Sequence, residues 1–102
     1  IQVKVFKCCR SNTLYLRLFH HYLKLTIKTA FEIVSLERNI YTTDLYFCYE
    51  AFSLSYPKKE SVLREVLYLY LNPEDIDCNF FIREKLFFLW IRKKCLTLNN
   101  KF

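Results

Sequence analysis

The side chains best suited to metal or acid–base chemistry stand in two adjacent pairs, Cys8-Cys9 and His20-His21. Neighbouring residues rarely ligate one tetrahedral metal together, because on a helix their side chains diverge by about 100°. The sequence contains no Cys-x-x-Cys spacing, and no serine has the His and Asp pattern of a hydrolytic triad around it. We therefore predict no catalytic residue, no metal site, no cofactor and no small-molecule substrate, so the chain is not expected to be an enzyme.

Positive charge is concentrated at the two ends of the chain. Residues 1–29 contain six basic side chains and no acid, residues 79–102 contain six bases and one acid, and the middle is acidic. A basic region attracts phosphate through counterion release without reading a sequence. If the first and last helices pack together, their bases form one pole. The predicted nucleic-acid-binding residues are Lys4, Lys7, Arg10, Arg17, Lys24, Lys28, Lys85, Arg92, Lys93 and Lys94. The alternatives are a solvated face that keeps an apolar chain in solution, an acidic protein partner and a membrane surface.

The last predicted helix carries a second candidate binding feature. Its Phe81, Lys85, Phe88 and Arg92 are spaced by four, three and four residues, which places them on one stripe. Aromatic residues between bases can stack on nucleotides or anchor a protein interface. We predict protein-interface roles for Phe81, Phe88 and Trp90. The alternative is that this helix is central to a bundle and that its aromatic residues form the core.

The element that must position the basic residues is an amphipathic helix over Thr13–Leu36. Apolar residues recur on one side at the helical spacing: Phe19, Tyr22, Leu23, Ile27, Ala30 and Val34. Basic and polar residues fall on the opposite side: Arg17, His21, Lys24 and Lys28. We predict that the apolar side is buried and that the three basic residues are exposed.

Start signals predict three further helices. Thr42 or Thr43 can cap a second helix that ends near Ser55, and Pro57 suits the first turn of a third helix. The Asn72-Pro73-Glu74-Asp75 run repeats the start signal with a capping Asn. A last helix, apolar nearly all round, is predicted from Asn79 to about Leu98.

These elements predict an all-α fold, a small four-helix bundle-like domain over residues 13–98. Residues 1–12 are expected to form a short N-terminal strand or extended arm, and residues 99–102 a frayed tail. A competing interpretation is a small winged-helix α+β domain, with residues 1–6 as a strand and residues 40–56 as a hairpin. No Gly is present to make the tight turn that such a hairpin favours.

Composition limits the remaining choices. A chain of 102 residues and 12.5 kDa allows one domain. A hydrophobic content of 53% excludes a disordered tail, and the absence of Gly argues against phosphate-cradling loops. No run of about 18 apolar residues is present, so no membrane span is expected. Residues with AT-rich codons dominate, which indicates an AT-rich genome, and the lack of Met indicates a processed chain or a fragment.

The five cysteines are odd in number, which favours a reducing intracellular compartment, the cytoplasm or an organelle matrix, over a disulfide framework. The sequence therefore predicts a small basic structural component of a large assembly, a ribonucleoprotein of the ribosomal type. Its basic ends would contact RNA backbone, and its aromatic surface would contact neighbouring protein subunits. The alternative is a helical protein–protein interaction module, such as a viral or parasite adaptor, that binds no nucleic acid.

Overall fold

The computed structural model describes residues 13–101 of the chain. These residues form five α-helices: α1 Thr13–Arg38, α2 Leu45–Ser55, α3 Glu60–Leu71, α4 Cys78–Arg83 and α5 Lys85–Lys101. Two short 3₁₀ turns, Pro57–Lys59 and Pro73–Asp75, precede α3 and α4. Residues 13–101 contain no strand, which confirms the all-α prediction over that range. The predicted N-terminal strand or arm, residues 1–12, lies outside the described residues.

Helix α1 is the centre of the fold, because α2, α3 and α5 all pack against it. The residues on its inner side are fully buried: Leu23, Ile27, Ala30, Ile33 and Val34. Each buried Leu or Ile of this kind stabilises the folded state by about 1.5–3 kcal/mol. Phe19 is half-buried against the same core, while Arg17 and Lys28 are exposed and Lys24 is half-buried. The predicted amphipathic helix is confirmed and is two residues longer than expected.

The connection between α1 and α2 turns at Asn39, which has a φ of 55°. Asn tolerates this left-handed region because its short polar side chain bonds locally. The Asn39 N–H donates to the Ser35 carbonyl over 2.8 Å, which ends α1 with a satisfied backbone. Residues 45–55 are helical, so the alternative of a hairpin over residues 40–56 is wrong.

Helix α2 is capped by Asp44, where the sequence pointed to Thr42 or Thr43. The Asp44 carboxylate accepts from the backbone N–H groups of Tyr46 and Phe47. A carboxylate also interacts favourably with the positive end of the helix dipole, which favours it over a neutral hydroxyl. The Thr42 hydroxyl instead accepts from the Asp44 N–H over 3.1 Å. The predicted end at Ser55 is confirmed.

Both prolines lie in 3₁₀ turns, where their fixed φ fits the first position. Pro57 leads into α3 as expected. The Asn72 side chain makes no N-cap hydrogen bond, since its amide donates backward to the Tyr68 carbonyl over 2.9 Å at the end of α3. The cap of α4 is Asp77, whose carboxylate accepts from the Asn79 N–H over 2.9 Å.

The predicted last helix is divided in two at Glu84, which has φ −104° and ψ 25°. The bundle therefore has a fifth helix that the sequence did not predict, because neither Pro nor Gly marks the break. Helix α5 runs to Lys101, beyond the expected end at Leu98. The Asn99 side chain donates to Glu32 of α1 over 3.4 Å, which holds this last part of α5 against the bundle.

Candidate nucleic-acid interface

Trp90 stands on α5 with its ring held in one orientation by the end of α2. It is half-buried, and its ring meets Tyr56 edge-on, with centroids 5.3 Å apart and an interplanar angle of 73°. Phe52, a fully buried core residue, contacts the same ring at 6.3 Å. Edge-to-face pairs of this kind add to the stability from buried area. Trp90 is therefore a rigid platform at the boundary between core and surface.

Three lysines surround this platform. The Lys59 Nζ lies 4.4 Å from the centre of the Trp90 ring, the geometry of a cation–π contact. Lys93 and Lys94, together with Thr97 and Trp90, line a surface depression with a volume of about 270 Å³. We call Trp90, Lys59, Lys93, Lys94 and Thr97 the Trp90 site. Because Lys59 belongs to the turn after α2, two separate elements assemble the site.

The positive charge of the Trp90 site is not neutralised by its surroundings. Within residues 13–101, no carboxylate lies within ion-pair distance of Lys59, Lys93 or Lys94. Glu37 approaches the edge of the site, where it accepts a hydrogen bond of 2.8 Å from the Tyr56 hydroxyl. Burial of Tyr56 and this bond raise its pKa to about 12, so the phenol stays protonated. The arrangement favours an anion with several oxygens, because each ammonium group donates up to three hydrogen bonds.

Lys59 was not predicted as a binding residue. It lies in the acidic middle of the sequence, where the net charge of the segment is negative and gives no indication of a basic site. A signal was present in the Tyr56-Pro57-Lys58-Lys59 run, which follows the C-terminal end of α2. Lysines are favoured there by the negative end of the helix dipole. The fold then brings Lys59 over Trp90, a contact between residues 31 positions apart.

The other predicted basic residues are spread over different faces. Arg92 lines a groove of about 190 Å³ between α1 and α5, beside Tyr22 and Thr29. Lys28 lines a separate cavity of about 240 Å³, beside Tyr41 and Cys48 of the α2 side. Helices α1 and α5 do pack together, with Thr26 and Thr29 of α1 in the groove beside Arg92. Arg92 and Lys28 therefore line two separate depressions, and the predicted common pole stays a prediction.

The remaining predicted basic residues fall into two groups, those that the structure describes and those that it does not. Lys85 and Arg17 are exposed on α5 and α1, and Lys24 is half-buried on α1. Lys4, Lys7 and Arg10 lie outside the described residues, so their predicted roles stay predictions.

Two of the three predicted interface aromatics pack inside the protein. Phe81 stacks between Phe19 and Phe88, with ring centroids 4.8 Å and 5.6 Å away. Phe88 is only 7% exposed and belongs to the core cluster. These positions favour the alternative that the aromatic stripe is core. Of the three, Trp90 borders a surface depression together with lysines.

The structure describes four of the His and Cys side chains, and three of them pack or bond within the bundle. His20 bonds the Tyr70 carbonyl over 2.8 Å and stacks on the Tyr70 ring, while His21 is exposed. Cys48 and Cys95 are buried free thiols, and burial raises the pKa of each above its ordinary value. Among the described residues, no three His, Cys, Asp or Glu side chains cluster as metal ligands would.

Two further findings concern membrane spanning and the comparison with known proteins. Over residues 13–101, no helix combines the length and the apolar character that crossing a bilayer requires. Comparison with known protein families, with curated proteins and with solved structures finds no match to this chain.

Proposed function

We propose that this protein is a small basic structural component of a ribonucleoprotein and that it holds RNA backbone phosphate at the Trp90 site. The observation that carries the proposal is the position of three lysines around Trp90, with Lys59 over its ring and Lys93 and Lys94 in the adjoining depression, without an acidic partner among the described residues. Lysine binds phosphate as a compact point charge. The chain's net charge of +6 adds long-range attraction for a polyanion.

Trp90 serves this function by positioning Lys59. One face of its ring is taken by the Lys59 ammonium group, and Tyr56 and Phe52 approach it from α2. A nucleobase that stacked on this face would have to displace Lys59. Recognition at this site is expected to depend on the phosphate backbone and to be the same for RNAs of different sequence.

The compartment belongs to the same proposal. Cys48 and Cys95 are buried, unpaired thiols, and thiols persist in this form where glutathione and thioredoxin keep them reduced. We place the protein in a reducing intracellular compartment, the cytoplasm or an organelle matrix, and propose that neighbouring protein subunits of the assembly cover its exposed apolar residues.

The experiment compares two variants that each lose three positive charges. One carries Lys59→Gln, Lys93→Gln and Lys94→Gln at the Trp90 site. The matched control carries Arg17→Gln, Lys24→Gln and Lys28→Gln on α1. The affinity of each protein for a labelled single-stranded RNA is measured over a series of salt concentrations, with circular dichroism to show that both variants are folded.

The proposal predicts that only the Trp90-site variant loses RNA affinity. Three lost phosphate contacts should reduce the slope of log affinity against log salt by about 2, from about 0.7 per contact on a single strand. The α1 variant should keep most of its slope. Equal losses in the two variants would mean that net charge alone attracts RNA. A loss only in the α1 variant would move the interface to the residues that the sequence favoured.

A further inference from the structure

The outer face of α5 carries leucines that the fold does not use. Leu86, Leu89 and Leu96 are 80%, 51% and 61% exposed. With Lys93 between them, they are spaced by three, four and three residues. This is the repeat of the a and d positions of a coiled coil, which pack against a second helix. We call Leu86, Leu89, Lys93 and Leu96 the α5 seam.

The α5 seam is flanked by positive charge. Lys85 and Arg92 are seven residues apart and exposed, so they lie along one edge of the seam. Helix α5 contains no Asp or Glu anywhere in Lys85–Lys101. A partner helix would therefore meet three bases, counting Lys93, and no acid. The face is complementary to carboxylates placed beside an apolar stripe.

The width of the seam favours a helix as its partner over a membrane surface. At 100° per residue, its four members fall within about 80° of the helix circumference. Helices that lie on a membrane or cover a core present an apolar face wider than about 100°. Of the aromatic residues of α5 that could anchor it in a lipid headgroup region, Phe87 and Phe88 are buried in the bundle, and Trp90 is half-buried against Tyr56 and Lys59.

Charge argues against a second copy of this chain on the seam. In a parallel pair, Lys93 would oppose Lys93 of the other copy at an a position. In an antiparallel pair, Lys85 and Arg92 would face one another across the interface. Like charges so placed destabilise pairing and act against self-association.

We infer that the α5 seam binds an acidic amphipathic helix of another protein. The three leucines pack into the apolar stripe of that helix, and Lys85, Arg92 and Lys93 pair with its carboxylates. This is the helix-in-groove and coiled-coil mode of recognition, with apolar anchors for affinity and charges for choice of partner. The inference does not depend on RNA binding, because the Trp90 site shares only Lys93 with the seam.

The probe is a synthetic heptad peptide with leucines at a and d and glutamates at e and g. Two control peptides replace its leucines by serine or its glutamates by lysine. Binding to the whole protein is measured by calorimetry, and the gain of peptide helix by circular dichroism. The test variant is Leu89→Asn with Leu96→Asn, and the matched control is Leu54→Asn with Leu71→Asn, two leucines exposed on other helices.

The expected result is binding of the Leu/Glu peptide alone, weakened at least tenfold in the seam variant and less than twofold in the control variant. RNA affinity should be unchanged in both, which separates this inference from the proposed function. Equal binding of the Ser/Glu peptide would overturn it, since charge would then suffice. No binding of the Leu/Glu peptide would overturn it, as would leucine-dependent binding to phosphatidylserine vesicles without peptide binding, or self-association that Leu89→Asn abolishes.

Discussion

The two sides of α5 come from one apolar stretch of sequence, yet they meet different surroundings. On the inner side, Phe87 and Phe88 are 6% and 7% exposed, and on the outer side Leu86 and Leu89 are 80% and 51% exposed. The inner side packs on α1 and holds the bundle together. The outer side carries the leucines and lysines that the fold itself does not need. The residues that stabilise the bundle and the leucines that we propose to bind a partner helix therefore lie on opposite sides of α5.

The largest effect is expected on the inner side. Phe88→Ala should lower the free energy of unfolding by about 3–5 kcal/mol, because it leaves a cavity among packed rings. A urea melt followed by circular dichroism measures the change. A loss below about 1 kcal/mol would show that Phe88 is not core and would return it to the predicted interface.

The sequence predicted much of the fold because the strongest signals were local. The helical spacing of Leu23, Ile27 and Val34 predicts which side of α1 is buried, whichever helices pack against it. The break at Glu84 was missed, since Arg83 and Glu84 are ordinary helix residues and neither Pro nor Gly marks the position. The cap of α2 was predicted at Thr42 or Thr43, one or two residues before Asp44, because these three successive residues are all good caps.

Trp90 lies between the inner and outer sides of α5. Its replacement should therefore lower both the stability, by less than Phe88→Ala does, and the RNA affinity. Trp90→Phe keeps a ring in the contact with Tyr56 but weakens the platform under Lys59. We expect a loss of about 1 kcal/mol of stability and a two- to fivefold loss of RNA affinity, in keeping with the size of a cation–π contact. An affinity loss in fluorescence-anisotropy titrations that exceeds tenfold would mean that a nucleobase stacks on Trp90 after all.

The candidate site was less predictable than the fold, for a physical reason. Charge counted by segment adds up bases that are close in sequence, such as Lys24 and Lys28, and takes no account of bases that the fold brings together from distant segments. Lys59 and Trp90 are distant in sequence and come into contact only in the folded chain. Sequence periodicity predicts which side of a helix is buried, and it does not predict which helices meet at their outer edges.

Tyr56 contacts the Trp90 ring and donates a hydrogen bond to Glu37 of α1. The ionisation of its phenol gives the next prediction. Its pKa of about 12, above the ordinary 10, means that the folded state favours the protonated phenol. Its contribution to stability is complete below pH 10 and is lost as the pH rises towards 12. Tyr56→Phe removes the bond to Glu37, so we expect a loss of about 0.5–1 kcal/mol at neutral pH.

Urea melts at a series of pH values check this expectation. The difference in stability between the wild type and Tyr56→Phe should shrink between pH 10 and 12. A stability difference that stays constant across that range would show that the pKa of Tyr56 is not raised in the folded protein.

The smallest effect on stability is expected on the outer side. Leu86→Ala should change the free energy of unfolding by less than about 0.5 kcal/mol, as for other exposed positions. The same variant should weaken binding of the Leu/Glu heptad peptide, since Leu86 is one of the leucines of the α5 seam. A stability loss close to that of Phe88→Ala would contradict the division between the two sides of the helix.

The central claim, that RNA phosphate binds at the Trp90 site, is tested most directly by the emission of Trp90, the chain's single tryptophan. Single-stranded RNA is titrated into the wild type and into the Lys59, Lys93 and Lys94 triple Gln variant, with anisotropy of labelled RNA recorded in parallel. We predict that the wild-type emission changes with the Kd that anisotropy gives, that added salt reverses the change, and that the Trp90 emission of the variant does not change when RNA is added. RNA binding seen by anisotropy while the Trp90 emission stays constant would contradict the claim, because the RNA would then occupy another surface.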